Sequence, residues 1–204
     1  HGATTGTVGH GLGVKPDLII TKYRSGAASW SVYNSSEGAT KVIWLDDSSA
    51  VGTGITYWRD TEPTASVFSV GASGTTGGNA NPYIAYCFHS VDGYSKIGTY
   101  EGNANVNGPF VYTGFKPAVV IAKCVDAVSS WDIVDNKRDP DNGVIQRLFP
   151  NNTSADDVSA GVVVDFLSNG FKVRTTSGNW NNATSDTQLY IAFAETPFKT
   201  ANAR

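Results

Sequence analysis

The sequence predicts an all-β protein, a β-sandwich of the jelly-roll or concanavalin-like kind built from two tandem divergent repeats. Three observations carry this prediction. Short runs rich in β-branched and aromatic residues fill the chain, Gly, Ser, Asn and Asp bound these runs, and a stretch near the start recurs in the second half. Charged residues make up only 16% of the 204 residues and glycines number 22, a composition typical of short strands joined by turns.

The first half of the chain contains several strand-like runs. They are, in order, Pro16–Tyr23, Ser29–Asn34, Lys41–Asp46, Ser66–Gly71 and Tyr83–Phe88. Pro16 opens the first run, where a strand tolerates a residue that lacks an N–H group. In the second run Trp30 and Val32 alternate with small polar residues, so we expect both on a buried face.

The second half contains a similar series of runs. They are Gly108–Phe115, Pro117–Cys124, Trp131–Asp135, Val144–Phe149, Gly161–Arg174 and Leu189–Glu195. Trp131 and Ile133 alternate as Trp30 and Val32 do, so we expect them to be buried as well. Ser168–Gly170 predicts a hairpin turn, because an Asn-Gly pair tolerates positive φ. No window has an apolar stripe of helical period over three turns, so no long helix is expected.

The two halves resemble each other at fixed spacings. The run Lys15–Asn34 returns as Lys116–Asp135, at a constant offset of 101 residues. The matching positions are Gly13 with Gly114, Lys15 with Lys116, Pro16 with Pro117, Ile20 with Ile121, Lys22 with Lys123, Ser29 with Ser130 and Trp30 with Trp131. Later matches are Trp44–Ala50 with Phe149–Ala155 at offset 105, Phe68–Val70 with Phe171–Val173 at 103, and Tyr83–Phe88 with Tyr190–Glu195 at 107.

We therefore predict a single β-sandwich domain over residues 1–204, with internal repeats of about 1–95 and 98–200 joined by the connector His89–Gly98. The alternative is two small separate β-sandwiches, since about 100 residues can also fold alone. The repeated tryptophans fit a shared scaffold better than a paired ligand site.

The sequence offers no constellation for catalysis, and we predict that the protein is not an enzyme and needs no cofactor. A nucleophilic serine or cysteine requires a histidine base, and the histidines are a terminal His1, His10 in a Gly-rich segment and His89 in the connector. A glycoside hydrolase requires two neighbouring carboxylates. Asp132 and Asp135 share a strand, but their odd spacing points them to opposite faces.

One loop is a weak calcium candidate. Asp135, Asp139 and Asp141 precede Asn142-Gly143, and hard oxygen ligands on a turning loop suit Ca²⁺. The spacing is not that of an EF-hand, however, and the same residues are common in a plain turn. We therefore expect no metal site, with the turn as the preferred interpretation.

Two polar loops that contain a tryptophan are candidates for carbohydrate binding. A sugar site needs an aromatic ring for the apolar face of the sugar and polar side chains for its hydroxyl groups. The candidate residues are Trp58, Arg59 and Asp60 in one loop, and Asn179, Trp180, Asn181 and Asn182 in the other. A tryptophan in a polar loop is alternatively an anchor that folds onto the core, and this alternative stays open.

Bulk properties limit the partners and the cellular context. The net charge of −3 and the absence of a Lys/Arg cluster argue against nucleic acid binding, and no apolar run is long enough to insert into a membrane. Cys87 and Cys124 lie inside apolar strands, so we expect small buried hydrophobes rather than a disulfide. The chain starts at His1 and contains no Met, which leads us to expect a piece of a longer polypeptide.

Several motifs resemble a known family. The runs HGLGVKPDLIITK, GYSKIGTYEGN, GPFVYTGFKPAVVIAK, DFLSNGFKVR and YIAFAETPFK are similar to a repeated β-rich domain of bacteriophage virion proteins, especially tail or fibre proteins of marine phages. The resemblance implies a structural virion component, located in the extracellular particle, that contacts other virion proteins and takes part in attachment to a host-surface glycan. It also implies a homo-oligomer, a trimer by analogy with fibres. The alternatives are a secreted or cell-surface carbohydrate-binding module and a glycan hydrolase of sandwich fold.

Overall fold

The computed structural model describes residues 6–78, 81–159, 161–181 and 183–198. Strands account for 39% of the chain and helices for 4%, so the protein is all-β, as predicted. The chain divides into two compact units, His1–His89 and Ser90–Arg204. Each unit has sheets and a core of its own. That the two units form a single sandwich domain stays a prediction.

The first unit contains an antiparallel five-stranded sheet and a two-stranded sheet. Its elements are β1 Gly6–Gly9, β2 Leu18–Tyr23, β3 Ser31–Asn34, β4 Lys41–Trp44, β5 Gly52–Thr53, the one-turn helix α1 Ile55–Trp58, β6 Val67–Val70 and β7 Tyr83–Phe88. The sheet orders are β5-β4-β3-β2-β7 and β1-β6. Ile19 and Tyr33 of the larger sheet and Phe68 of the smaller one belong to one buried cluster, as in a small sandwich.

The second unit contains a four-stranded and a three-stranded antiparallel sheet. Its elements are β8 Ser95–Glu101, β9 Phe110–Tyr112, β10 Pro117–Cys124, β11 Trp131–Asp135, β12 Val164–Leu167, β13 Gly170–Val173, the one-turn helix α2 Gly178–Asn181 and β14 Thr187–Ala194. The sheet orders are β11-β10-β14-β8 and β12-β13-β9. Val120 and Tyr190 of one sheet share a buried cluster with Val111 and Phe171 of the other.

Strand pairing recurs in the two units, for most pairs at the offsets read from the sequence. Ile20 faces Val32 across β2 and β3, and Ile121 faces Ile133 across β10 and β11. Further matching pairs are Val32–Ile43 with Ile133–Leu148, and Val8–Phe68 with Val111–Phe171. Gly13 and Gly114 both have positive φ, at 74° and 86°. The units therefore share a pairing scheme, while their descent from one duplicated ancestor stays a prediction.

Individual hydrogen bonds recur as well. Lys22 Nζ donates to the Ala28 carbonyl at 2.6 Å, and Lys123 Nζ donates to the Ser129 carbonyl at 2.9 Å. The Trp30 N–H donates to Asp46 Oδ1 at 2.9 Å, and the Trp131 N–H donates to Asn151 Oδ1 at 3.0 Å. In both units these bonds fix the loop that leads into the second paired strand.

The last repeated motif, Tyr83–Phe88 with Tyr190–Glu195, lies in β7 and at the end of β14. These two strands pair with their neighbours in different registers. Phe88 of β7 faces Leu18, whereas the residue that faces the matching Val119 is Phe193. The sequence match had instead assigned Glu195 to this position. The difference is two residues, and an even shift preserves the face to which each side chain points.

Four predictions about local structure need correction. Val144–Phe149 forms only isolated bridges, because the Ile145 and Gln146 N–H groups donate to Asp139 Oδ2 rather than to a neighbouring strand. The connector His89–Gly98 contains the start of β8, which pairs along β14. Trp30 precedes β3 and is only half-buried, with Lys22 Nζ 5.8 Å from its ring centroid, whereas Trp131 is fully buried.

The fourth correction concerns the hairpin turn between β12 and β13. The turn occurs where predicted, since Leu167 pairs with Gly170. Neither Asn169 nor Gly170 has φ in the left-handed region, however. The Asn169 carbonyl instead accepts the N–H groups of Thr113 and Gly114, at 3.0 and 3.2 Å, which ties the turn to the end of β9.

Among the described residues, neither of the short helices is long or apolar enough to cross a membrane.

Candidate ligand-binding face

The predicted site around Trp180 is a buried anchor. Trp180 lies in α2 and its side chain is fully buried, packed edge-on against Phe171 with ring centroids 6.4 Å apart. Asn181 is also fully buried, and its side chain bonds to the backbone of Asn103 and Thr175. A sugar cannot stack on a ring without solvent access, so the proposed role of Trp180 is wrong and the anchor interpretation is confirmed. Asn182 lies outside the described residues.

The same anchor completes a buried polar network around Asp132. Asp132 accepts hydrogen bonds from Trp180 Nε1 at 2.7 Å, Asn179 Nδ2 at 2.6 Å and Arg147 Nη1 at 3.1 Å. Arg147 also forms an ion pair with Asp157. Burial raises the pKa of Asp132 despite the opposing effects of Arg147 and the hydrogen bonds. Asp132 has no exposed surface and its oxygens accept hydrogen bonds, so its environment suits a structural role better than acid–base catalysis.

The predicted site around Trp58 is also an anchor. Trp58 is 2% exposed and packs edge-on against Tyr33, with centroids 6.0 Å apart. It ends α1, and Arg59 and Asp60 follow with positive φ of 59° and 48°. The Arg59 and Asp60 side chains are exposed, but the Trp58 ring, which was predicted to bind a sugar together with them, faces the core. The assignment of Trp58 as a stacking surface is therefore wrong.

The calcium candidate is a turn stabilised by its own aspartates. Asp135 accepts the backbone N–H groups of Lys137 and Arg138 and pairs with the Arg138 side chain at 2.7 Å. Asp139 accepts the N–H groups of Ile145 and Gln146, at 2.9 and 2.7 Å. These bonds outweigh burial and hold the pKa of both carboxyl groups below the ordinary value. In the described part of the chain, no three acidic, His or Cys side chains are placed to hold a metal ion.

Three further residues with reactive side chains, His10, Cys87 and Cys124, have the following surroundings. His10 bonds through its ring to the Thr64 carbonyl and the Leu12 N–H. Cys87 and Cys124 are free thiols, as predicted, with Cys124 fully buried and Cys87 half-buried. Burial raises the pKa of the Cys87 thiol, which disfavours the reactive thiolate.

Exposed aromatic side chains instead lie on the outer side of the three-stranded sheet of the second unit. Along β9, Val111 points into the core, so Phe110 and Tyr112 point outward, 46% and 64% exposed. Phe110 faces Lys172, which in turn faces Asp165, while Tyr112 faces Gly170 and then Leu167. We call this surface the aromatic face. Its members are Phe110, Tyr112, Asp165, Leu167, Lys172 and Arg174.

A cavity of about 430 Å³ adjoins the aromatic face. Asp165 and Arg174 belong to both, and Val106, Asn107, Gly143 and Val162 complete the lining. Val106 and Val162 are 62% and 40% exposed and supply apolar walls. A side chain at Gly143 would collide with Val162, so the absence of a Cβ there leaves the cavity open.

The charged side chains of the aromatic face differ in the contacts that they make. Lys172 Nζ donates to the Gly108 carbonyl at the edge of β9. Arg174 Nε lies 3.4 Å from Asp165 Oδ2, with 46% of the Arg174 side chain and 25% of the Asp165 side chain exposed. The face thus combines two aromatic rings with a partly solvated ion pair, the mixture that sugar-binding surfaces use.

Comparison with known proteins identifies a family but no function. The family model described as Domain of unknown function (DUF7483) matches residues 1–197. The chain belongs to the DUF7483 family. Its description names no activity, ligand or partner, and no curated protein and no solved structure matches the chain.

Sequence reasoning missed the aromatic face of this DUF7483 chain although a signal was present. In "PFVYTG" the order Phe110, Val111, Tyr112 alternates two large aromatics with one valine. The three side chains are all apolar, so alternation alone does not say which face is buried. The core position of Val111 is decided by its partner Phe171 on β13.

Proposed function

We propose that this chain is a non-enzymatic attachment domain of a bacteriophage tail or fibre-type virion protein, and that its aromatic face binds a host-surface glycan. The observation that carries the binding part is the exposure of Phe110 and Tyr112 on one sheet face beside a cavity with a solvated ion pair. The virion part rests on the resemblance of the sequence motifs to phage domains.

The surroundings of the aromatic rings support a binding role over a purely structural one. Large apolar side chains that stay exposed beside charged groups are typical of interaction surfaces. Phe110 and Tyr112 stand on a hydrogen-bonded sheet, whose rigidity reduces the entropy lost when a ligand is bound. Rings fixed in this way suit the flat apolar side of a sugar.

A glycan array with the full chain and matched variants tests the binding part. We expect Tyr112→Ala and Phe110→Ala to weaken binding about three- to tenfold each, as expected for the loss of one aromatic contact, without loss of folding. Tyr86→Ala is the control, since Tyr86 is 43% exposed on β7 in the first unit. The proposal fails if no glycan binds, or if all three variants bind as the parent does.

A separate experiment tests the virion part. Gold-labelled antibodies against this chain should decorate the tails or fibres of phage particles in electron micrographs. Label on cell surfaces or on secreted material, with bare particles, would favour the alternative of a cellular carbohydrate-binding module that uses the same aromatic face.

A further inference from the structure

We infer that the aromatic face selects acidic glycans, with Arg174 as the side chain that binds a carboxylate or sulfate group of the sugar. This inference rests on the proposed function and adds the chemical class of the ligand. The observation behind it is a guanidinium group that is half-exposed, lines the cavity and is only partly engaged by its acidic neighbour.

The ion pair leaves most of the Arg174 donors available. Nε lies 3.4 Å from Asp165 Oδ2, which is long for a charge-assisted hydrogen bond. Among the described residues, Nη1 and Nη2 of Arg174 make no hydrogen bond, and the side-chain amide of Asn107 in the same cavity makes none either. A guanidinium fork with two free nitrogens fits the two oxygens of a carboxylate or sulfate group.

The cationic group is held on the sheet in a defined position. Arg174 follows β13 directly, and its N–H donates to the Val163 carbonyl at 2.8 Å. It points to the same side as Lys172, because only Val173 lies between them and alternate residues of an extended chain share a face. Val106 and Val162 line the cavity beside the fork.

The charge along the aromatic face is polarised. Among the described residues, Lys172 and Arg174 lie toward one end and have Asp165 as their carboxylate neighbour. An anionic group is therefore favoured at the Arg174 end.

The distance between the two ends sets a minimum size for the ligand. Tyr112 faces Gly170, and Arg174 lies four residues further along that direction of the chain. At a strand rise of roughly 3.3 Å per residue the separation is about 13 Å. A ligand that contacts both Tyr112 and Arg174 is longer than a single sugar ring, so a ligand that uses the whole face is an acidic oligosaccharide.

Calorimetric titration with paired ligands tests this inference. The probes are an oligogalacturonate, the same oligosaccharide with its carboxyl groups methyl-esterified, and a sulfated oligosaccharide of similar length. We expect an acidic probe to bind at least tenfold more tightly than the ester. Arg174→Gln should lower the affinity for the acidic probes roughly ten- to a hundredfold and leave the affinity for the ester unchanged. Asp165→Asn should raise the affinity for the acidic probes, because it removes a carboxylate that competes with them for Arg174.

The controls separate this inference from the proposed function. Arg24→Gln removes an exposed arginine from the first unit and should change nothing. If the ester binds as well as the acids, or if Arg174→Gln weakens both equally, acid selection is wrong; loss of that binding in Tyr112→Ala would still support a glycan-binding face. If no probe and no array glycan binds, both proposals fail. Self-association that Tyr112→Ala and Arg174→Gln abolish in sedimentation would also overturn the inference, because a second copy would then be the occupant.

Discussion

Trp180 donates its indole N–H to a carboxylate oxygen of Asp132 across 2.7 Å, and both side chains are fully buried. The bond joins α2 to β11, two elements whose bonded residues lie 48 positions apart in the chain. This hydrogen bond allows Trp180, which lies in a polar loop, to be buried in the core, because the carboxylate satisfies the only polar atom of the indole ring.

Trp180→Phe should therefore destabilise the protein. The smaller ring leaves a void beside Phe171, and the fully buried Asp132 loses a hydrogen bond. We expect the free energy of unfolding to fall by about 2–4 kcal/mol. Urea titration followed by far-UV circular dichroism measures this loss. The half-buried Trp30 is the matched position, and Trp30→Phe should cost less than about 1 kcal/mol. Equal losses would contradict the role assigned to the bond.

The two repeated lysines should differ in their contribution to stability. Lys123 is fully buried and its Nζ donates to the Cys124 carbonyl, the Ser129 carbonyl and Ser129 Oγ. Lys22 is half-buried and makes its corresponding bond to Ala28 near the Trp30 ring. We expect Lys123→Ala to lower the free energy of unfolding by about 3 kcal/mol, because it leaves a void and buried acceptors without donors.

Lys22→Ala is the internal control for that prediction. Water can reach the acceptor that it leaves behind, so the expected loss is about 1 kcal/mol. Chemical denaturation of both variants provides the comparison. A cost at Lys22 equal to that at Lys123 would show that burial does not decide the contribution of these lysines.

Asp139 should make the stability of the protein depend on acid pH. Burial acts to raise its pKa, but bonds from Gln146 and Ile145 outweigh burial and hold the pKa below the ordinary 3.8. The unfolded chain therefore takes up this proton at a higher pH than the folded chain does. The stabilisation is complete above about pH 4 to 5 and is lost as the pH falls through the lowered pKa of the folded state.

Asp139→Asn tests this dependence. Both carboxylate oxygens of Asp139 accept hydrogen bonds, from the Ile145 and Gln146 N–H groups and from Gln146 Nε2, and an amide nitrogen cannot accept one, so we expect a loss of about 1 kcal/mol at pH 7. The difference between parent and variant should shrink below pH 4 when the melting temperature is followed as a function of pH. Asp141→Asn changes an exposed aspartate in the same loop and should give a curve parallel to that of the parent. A difference that stays constant down to pH 2 would contradict the prediction.

Gly170 should be intolerant of any side chain. A Cβ at this position would overlap the Val111 carbonyl, which belongs to the paired strand β9. Gly170→Ala should therefore shift β9 and lower the free energy of unfolding by about 1–3 kcal/mol. Gly6→Ala in β1 meets nothing within 4 Å and should be neutral. Amide hydrogen exchange should show faster exchange at β9 in the Gly170 variant alone, and unchanged protection there would contradict the prediction.

Much of the strand structure could be predicted because its signals are local. Pro117–Cys124, Trp131–Asp135 and Tyr83–Phe88 form strands with the predicted bounds. The offset of 101 residues predicted matching positions that do make matching strand pairs and hydrogen bonds. β8 was missed because its Gly- and Ser-containing sequence is typical of a connector, and only pairing with β14 makes it a strand.

The sequence by itself determined the β-class of the protein, the position of most strands and the side to which alternate residues point, because strand periodicity depends only on neighbouring residues. The tertiary structure alone decided which aromatic side chains are buried. Trp58 and Trp180 stand in polar loops and are covered by Tyr33 and Phe171, whereas Tyr112 stands in an apolar run and stays exposed. The burial of a ring depends on contacts with residues far along the chain, and local polarity carries no information about those contacts.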